Sequence, residues 1–370
     1  MKKLFTVLCA LAMVVLILLP LNARAADESN LTFELNEDGN SYSVVKCNES
    51  ATGQLIIPAT HNGKPVTAIG ELAFANCHEL TDVVIPEGVT SIGRGAFTYC
   101  YNLASVNVPN SITSIDAYAF QDCMALTAIA IPKGVTVISS WVFVGCISLK
   151  DVTIPYGVTE IGSSAFCACG ALETVTIPGS VTRIGESAFF DCDSLSCVVI
   201  PNSVTSIGDF AFGMCDSLIN ITIPESVTTI EQWAFGDCTG LREITIPKSV
   251  KKIGQYVFHG CSSLKKVFYG GDQAQLLLLS VEMGNGVFWG AEIIRNYAAD
   301  TTPVATEPPT EPPATQPPAT TPEPTDPADN NDKPNGISTG VFVAVVVAAV
   351  LLTAVGSSTM TYFVLKKKMK

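Results

Sequence analysis

Residues that commonly carry catalysis are scarce in this 370-residue chain. It has three histidines, His61, His78 and His259, and none stands at a useful spacing from a carboxylate or cysteine motif. We expect all three to be solvated loop residues. Phosphate-binding glycine loops, H-E-x-x-H and G-x-G-x-x-G motifs are missing. One G-x-S-x-G match, at 336–340, joins a Pro-rich segment to an apolar run, whereas the hydrolase motif requires a strand before it and a helix after it. We therefore predict no enzyme activity, no cofactor and no metal site.

Basic residues are also few. Lys and Arg total 21 against 34 Asp and Glu, which gives a net charge of −13. Without the basic residues of the two termini, 14 basic residues face 34 acidic ones, a net charge of about −20. A surface this acidic disfavours nucleic acid and anionic lipid as partners.

Both ends of the chain have the pattern of membrane-targeting segments. Residues 1–25 combine Lys2 and Lys3, an apolar run and the small-x-small sequence "ARA", which predicts a cleaved signal peptide; the alternative is an uncleaved anchor. Residues 340–365 predict a transmembrane helix, because Val341 to Leu365 would be about 37 Å long as a helix. The basic residues of 366–370 place that end in the cytoplasm. We expect an exported, single-pass protein of the cell membrane with its repeat domain outside.

A strict 23-residue period runs through the middle of the chain. Proline recurs at this interval from Pro86 to Pro247, phenylalanine from Phe74 to Phe258, and cysteine from Cys77 to Cys261. The unit is L-x-x-V-x-I-P-x-x-V-T-x-I-G-x-x-A-F-x-x-C-x-x, and about nine copies fill residues 55–264. One such unit cannot bury its own apolar face, so the repeats must stack on one another.

Each part of the unit predicts one part of a coil. Stretches such as "LTDVVIP" (80–86) predict short strands in a parallel sheet, with Val83 and Ile85 pointing inward. The "AFTYC" segments predict short helical turns, each of which places a phenylalanine in the core. The predicted fold class is therefore a right-handed repeat solenoid with one parallel β-sheet face, capped at both ends.

The repeated phrase resembles the leucine-rich repeats of the BspA type, which occur on surface proteins of host-associated bacteria and some parasitic protists. The resemblance extends over residues 27 to about 297. It implies an N-terminal cap hairpin at 26–54 and a C-terminal cap at 265–297. It also implies adhesion to host matrix proteins or to other cells.

The nine cysteines of the repeats allow three interpretations. Zinc ligands would have to converge on one point, but residues stacked in register point the same way. Disulfides would need Cβ atoms closer than the spacing of neighbouring strands. We therefore predict buried free thiols that act as small apolar residues. Cys47, Cys167 and Cys197 lie outside this series, and their state stays open.

A ligand face is predicted on the outward side of the strands. Two outward positions per repeat align along the solenoid and differ freely in residue type. The candidate ligand residues are Asp151, Thr153, Thr174, Thr176, Asn220, Thr222, Glu243 and Thr245. One alternative is that this face is merely solvated. Another is that it binds ice, but the Ala, Val and acidic residues between the threonines argue against a regular ice-binding surface.

Residues 298–339 hold eleven of the 22 prolines together with many Thr and Glu, which predicts an extended stalk. The chain is therefore predicted to be a non-catalytic cell-surface binding module, similar to an adhesin, for a protein or glycan on a host or neighbouring cell. The alternative is a structural spacer of the cell envelope. Attachment by sortase would need an L-P-x-T-G signal, which is absent.

Overall fold

A computed structural model describes residues 27–297 of the chain. The predicted signal peptide, stalk, transmembrane helix and basic tail lie outside the described residues. Between residues 27 and 297, no helix is both long and apolar enough to cross a bilayer.

The N-terminal strands after a short 3₁₀ helix (Glu28–Asn30) are β1 (Leu31–Leu35), β2 (Tyr42–Cys47), β3 (Gly53–Ile56), β4 (Thr60–His61) and β5 (Lys64–Ile69). The repeats continue with β6 (Leu80–Val84), β7 (Ser91–Ile92), β8 (Ser105–Asn107), β9 (Ser114–Ile115), β10 (Ala128–Ala130), β11 (Val137–Ile138), β12 (Asp151–Thr153), β13 (Glu160–Ile161), β14 (Thr174–Thr176), β15 (Arg183–Ile184), β16 (Cys197–Val199), β17 (Ser206–Ile207), β18 (Asn220–Thr222), β19 (Thr229–Ile230), β20 (Glu243–Ile246), β21 (Lys252–Ile253) and β22 (Lys266–Tyr269). The chain closes with α1 (Gln273–Leu278), β23 (Ser280–Val281), α2 (Gly286–Gly290) and β24 (Glu292–Ile294).

These strands form two parallel ladders along one solenoid. The even-numbered strands from β6 to β24 follow β3 in the first ladder, and the odd-numbered strands from β5 to β23 follow β2 in the second. Pairing in the first ladder is interrupted after β8 and after β16, and in the second after β9 and after β17. Strand β1 covers the N-terminal end by pairing antiparallel with β2.

The solenoid has about eleven turns instead of the nine that the period predicts. The two additional turns are built from the end segments, which lack the regular proline and cysteine and were therefore not counted as repeats. At the C-terminal end, the inserted helix α1 lengthens the turn and shifts the core phenylalanine to Phe288.

The predicted column of buried phenylalanines is confirmed. The nine rings from Phe74 to Phe258 are at most 1% exposed, and successive rings stack with centroids 4.8 to 6.3 Å apart. Phe288 extends the column, with its ring 5.8 Å from that of Phe258. Inward strand residues such as Val83 and Ile85 are 1% exposed and close the core on the opposite side.

The segments around these phenylalanines are not helical turns, contrary to the sequence prediction. Residues two before and two after each of the nine phenylalanines from Phe74 to Phe258 have positive φ, as Ser164 and Ala168 do on either side of Phe166, and a right-handed helix cannot contain such residues. The N–H of Phe166 donates to the carbonyl of Ala188 in the next repeat, at 2.8 Å. The N–H groups alternate: Phe166 and its second neighbours donate to the next repeat, whereas Cys167 N donates within the turn to Ser164 O at 3.2 Å. The bonds between repeats make the turns a third ladder.

Close contact between repeats explains the glycine of the repeated Ile-Gly pair. A Cβ atom on Gly185 would lie 2.7 Å from the carbonyl carbon of Gly162 in the preceding repeat, closer than carbon atoms approach. At the last turn, the side chain of Asn285 replaces the missing neighbour, since its Oδ1 accepts from Phe258 N at 3.0 Å and its Nδ2 donates to Gly254 O at 2.8 Å.

Candidate ligand-binding face

The first ladder presents a nearly flat surface of alternating side chains. In β12, β14, β16 and β18 the middle residue is buried and the two flanking residues are exposed. In β20, Glu243 and Thr245 are half-buried. The eight candidate residues therefore all reach the solvent on one side of the ladder, because alternate side chains of a strand share a face. We call this surface the strand face.

The structure brings the eight residues together as two groups. Asp151, Thr153, Thr174 and Thr176 lie on the adjacent strands β12 and β14, and Thr153 is in register with Thr176. Asn220, Thr222, Glu243 and Thr245 lie on the adjacent strands β18 and β20, where Asn220 opposes Glu243 and Thr222 opposes Thr245. Strand β16 separates the groups with two outward residues, Cys197 and the 59%-exposed Val199.

The polar groups of the strand face point outward in rows. A row of threonines, broken only by Val199, runs through Thr153, Thr176, Thr222 and Thr245. A carboxylate lies toward each end, at Asp151 and Glu243, and Glu243 Oε1 is 3.8 Å from Lys266 Nζ. Such a surface supplies hydrogen-bond donors and acceptors at the spacing of the strands, about 4.8 Å. It can make many weak contacts with an extended partner, but it does not enclose a small molecule.

The cysteines have a structural role that the sequence analysis missed. In eight successive repeats, from Cys100 to Cys261, the thiol donates to the carbonyl oxygen of the phenylalanine 26 residues earlier; for example, Cys192 Sγ is 3.2 Å from Phe166 O. These thiols are fully buried and free, as predicted. Each cysteine thus fills a small apolar space and also satisfies a buried carbonyl.

Burial suppresses ionisation of these thiols. It raises the pKa of Cys169 and Cys192 well above the usual value, and neighbouring cysteines contribute further in the same direction. Among the cysteines outside the series, Cys47 and Cys167 are buried free thiols, and burial raises the pKa of Cys167 to about 12. Cys197 is exposed on the strand face.

All three histidines make side-chain contacts that the sequence did not predict, although the side chain of His259 is 52% exposed, as expected for a solvated residue. The ring of His61 stacks on Phe33 at 4.1 Å, and its Nδ1 is 3.1 Å from Glu28 Oε1. His78 Nδ1 is 2.7 Å from Tyr99 O, and His259 Nδ1 is 3.6 Å from Asp237 Oδ1. All of these partners come from neighbouring turns, at separations that a search for short motifs does not cover. Within residues 27–297, no group of three or more His, Cys, Asp or Glu side chains could hold a metal ion.

A second feature lies on the turns, at positions that range from buried to exposed. The residue two before each core phenylalanine has φ between 54° and 63° in all nine repeats, and we call these positions the left-handed column. Five of the nine are aromatic: Tyr118, Trp141, Phe210, Trp233 and Tyr256. The 23-residue spacing of these aromatics was visible in the sequence, but the expectation of a helical turn concealed their special backbone conformation.

The three ladders and the single column of stacked phenylalanines define a leucine-rich-repeat solenoid with 23-residue turns. The chain belongs to the BspA type leucine rich repeat family, whose profile matches residues 67–196 and 182–276 in six copies.

Solved structures of bacterial repeat proteins are similar to this chain. A leucine-rich repeat protein from Bacteroides ovatus has 28% sequence identity, with 73% of this chain and 78% of that chain covered and a TM-score of 0.53. A leucine rich cell surface protein from Faecalibacterium prausnitzii has 27% identity, with 70% of this chain and 98% of that chain covered and a TM-score of 0.41. No curated protein matches the chain.

Proposed function

We propose that this protein is a non-catalytic binding module of the cell surface, similar to an adhesin, and that its strand face contacts a protein or glycan on a host or neighbouring cell. The observation that carries the proposal is the contrast between the two sides of the first ladder. Inward residues repeat and are buried in every turn, whereas the outward residues are exposed and differ from turn to turn. Extended solenoid faces of this kind commonly bind macromolecules.

The proposed location rests on the sequence of the two ends. A cleaved leader at 1–25, a Pro-rich stalk at 298–339 and a membrane span at 340–365 would hold the repeats outside the cell. An extended stalk of this length could reach on the order of 130 Å from the membrane, at about 3.1 Å per residue. The acidic surface makes a neutral or cationic partner more favourable than a polyanion.

Affinity for the partner is expected to be distributed over several repeats. The strand face has hydroxyl groups in two separate groups of four residues, and individual exposed hydrogen bonds contribute only about 0.5–1.5 kcal/mol each. A single substitution should therefore change the affinity for the partner little, whereas a variant that alters both groups should lose most of the binding.

The test is a triple variant of the full chain, Thr153→Lys, Thr176→Lys and Thr222→Lys, displayed on cells. Adhesion of these cells to immobilised matrix proteins and glycans is compared with that of cells displaying the parent. The matched control is Thr159→Lys, Thr182→Lys and Thr228→Lys, which adds the same charge at exposed positions directly before strands of the second ladder. Lysine is tolerated at this position of the repeat, because Lys251 occupies the same position one repeat after Thr228.

We expect the strand-face variant to lose adhesion and the control to keep it, with both variants melting close to the parent. Adhesion of the strand-face variant equal to that of the parent would assign binding to another surface. If cells displaying the parent do not adhere, and deletion of the gene changes the thickness of the cell envelope, the protein is a spacer.

A further inference from the structure

The C-terminal part of the left-handed column carries a continuous cluster of rings. Phe210 and Trp233 stack at 5.8 Å, Trp233 and Tyr256 at 4.9 Å, and Phe190 meets the edge of Phe210 at 6.1 Å. His259 adds a ring 5.0 Å from Trp233, and the Tyr256 hydroxyl is 3.7 Å from Met283 Sδ. We call Phe190, Phe210, Trp233, Tyr256, His259 and Met283 the aromatic rib.

The rib is held in place by glycines beneath its rings. A Cβ atom on Gly236 would overlap the indole of Trp233, and one on Gly284 would overlap the ring of Tyr256. A Cβ atom on Gly213 would lie 3.0 Å from Phe190 Cδ2. These contacts fix the ring positions before any partner arrives, which lowers the entropy cost of binding.

Phe210, Trp233 and Tyr256 stack face to face along the solenoid, which covers their ring faces, and all three side chains are half-buried. Their planes differ by 7° between Phe210 and Trp233 and by 20° between Trp233 and Tyr256. This arrangement does not offer a broad ring face on which a sugar can lie. It offers an apolar ridge that suits the aliphatic side chains of a protein, and tryptophan and tyrosine are enriched in the energetic centres of protein interfaces.

Carboxylates are neighbours of the rib residues in the chain, and one of them, Asp209, accepts a hydrogen bond from Gln232 N at 3.0 Å through its Oδ1. Asp209 and Glu231 precede the rib residues of their repeats, and Asp237 follows Trp233, its side chain 47% exposed. Lys252 lies close to Asp209 and Glu231, but its ammonium is already 3.0 Å from Glu282 Oε1. Charge complementarity therefore favours a cationic partner.

We propose that the aromatic rib is a docking surface for a cationic segment of a partner protein in which apolar side chains alternate with Lys or Arg. The apolar side chains cover the accessible parts of the rings, and the basic groups pair with these carboxylates. The surface contains no residue of the strand face, so it can be tested independently of the function proposed above.

The N-terminal rings of the same column provide a matched control. Tyr118 and Trp141 also stack, at 5.9 Å, and Trp141 is 39% exposed. The guanidinium of Arg94 lies 4.7 Å from the centroid of the Tyr118 ring, and no such cation–ring contact occurs at the described residues of the rib. This pair shares the backbone conformation of the rib and two of its acidic positions, Asp116 and Asp122, but one of its rings is already covered by a cation.

The test uses the full chain with Trp141→Phe and Trp289→Phe, which leaves Trp233 as the only tryptophan. Emission of Trp233 is followed during titration with a peptide of alternating Leu and Arg. Peptides of alternating Leu and Glu and of alternating Ser and Arg serve as controls. We expect saturable binding of the Leu-Arg peptide only, weakened by added salt.

Serine is the appropriate replacement for the rings, because Ser164 and Ser187 occupy the same column with φ of 54°. Phe210→Ser with Tyr256→Ser should weaken binding at least about tenfold, whereas Tyr118→Ser should not change it. If the serine variant does not fold, Asp209→Asn with Asp237→Asn tests the same surface and should weaken binding several-fold.

The proposal is wrong if the ring or carboxylate variants bind the Leu-Arg peptide as tightly as the parent, or if the Leu-Glu peptide binds equally well. It is also wrong if Trp233 emission changes with protein concentration alone and light scattering shows a dimer that the serine variant loses. That result would assign the rib to a contact between two copies of this chain.

Discussion

The free energy of unfolding of this protein should fall steeply as the pH rises into the alkaline range, because the core contains many buried thiols. Eight cysteines, from Cys100 to Cys261, each donate a hydrogen bond to a phenylalanine carbonyl inside the core. A thiolate there would be desolvated and would face a carbonyl oxygen without the bridging proton. Burial accordingly raises the pKa of every one of them above the usual value.

The sign and size of the effect follow from proton linkage. A thiol whose folded pKa is raised contributes its full stability below the unfolded pKa, near 9, and loses it as the pH rises toward the folded pKa. In that window the unfolded chain has released protons that the folded chain still holds, so the free energy of unfolding falls with pH. Each thiol contributes a limiting slope of about 1.4 kcal/mol per pH unit. Eight together approach a slope on the order of 11 kcal/mol per pH unit.

Guanidinium unfolding of the full chain, followed by circular dichroism in reductant between about pH 8 and pH 10, measures this slope. The control is Cys169→Ala, Cys192→Ala and Cys215→Ala, which removes three thiols. Its limiting slope should be smaller than that of the parent by about 4 kcal/mol per pH unit, although its stability at neutral pH is also lower. A free energy of unfolding that stays constant over this pH range would refute the reasoning, as would equal slopes for the two proteins.

Two further predictions concern the core and the exposed thiol. Phe166→Ala should lower the free energy of unfolding by about 3–5 kcal/mol, because its ring lies between Phe143 and Phe189 at 5.3 Å. Phe74→Ala should lower the free energy of unfolding less, because Phe74 stacks on a core phenylalanine at one side only. Calorimetry that gives equal losses for the two variants would contradict a column that frays at its end. Thiol labelling of the folded protein, read by mass spectrometry, should modify the exposed Cys197 and leave buried ladder thiols such as Cys169 unmodified until the chain unfolds; rapid labelling of Cys169 in the native state would show that the core opens locally.

The stacking of the repeats could be predicted from sequence because proline, phenylalanine and cysteine all recur at the same interval of 23 residues. A phenylalanine every 23 residues must form a column in any solenoid with turns of that length, and the inward Val83 and Ile85 follow from alternation within a strand. The strand face followed from the same alternation. These inferences needed only the direction of each side chain relative to the axis.

The parts that could not be predicted depend on contacts between different turns. The "AFTYC" segment is too short to reveal whether its backbone bonds stay within the segment, and in the structure every second N–H donates to the next repeat. The acceptor of each cysteine likewise belongs to the preceding repeat, so the residue seemed merely small and apolar. The count of turns was too low because Phe288 continues the core column beyond the strict period, after the insertion of helix α1.

The left-handed column shows how a turn position can carry information about function in a repeat protein. A residue other than glycine pays roughly 1–2 kcal/mol for this conformation, and stacking between neighbouring rings returns about 0.5–1.5 kcal/mol per pair. Serine pays the same backbone cost, so stacking is the term that distinguishes Trp233 from the serines at Ser164 and Ser187. Beyond stacking, the rings add a half-buried apolar surface near Asp209 and Asp237, and burying the rest of that surface against a basic partner would yield free energy that a serine cannot supply.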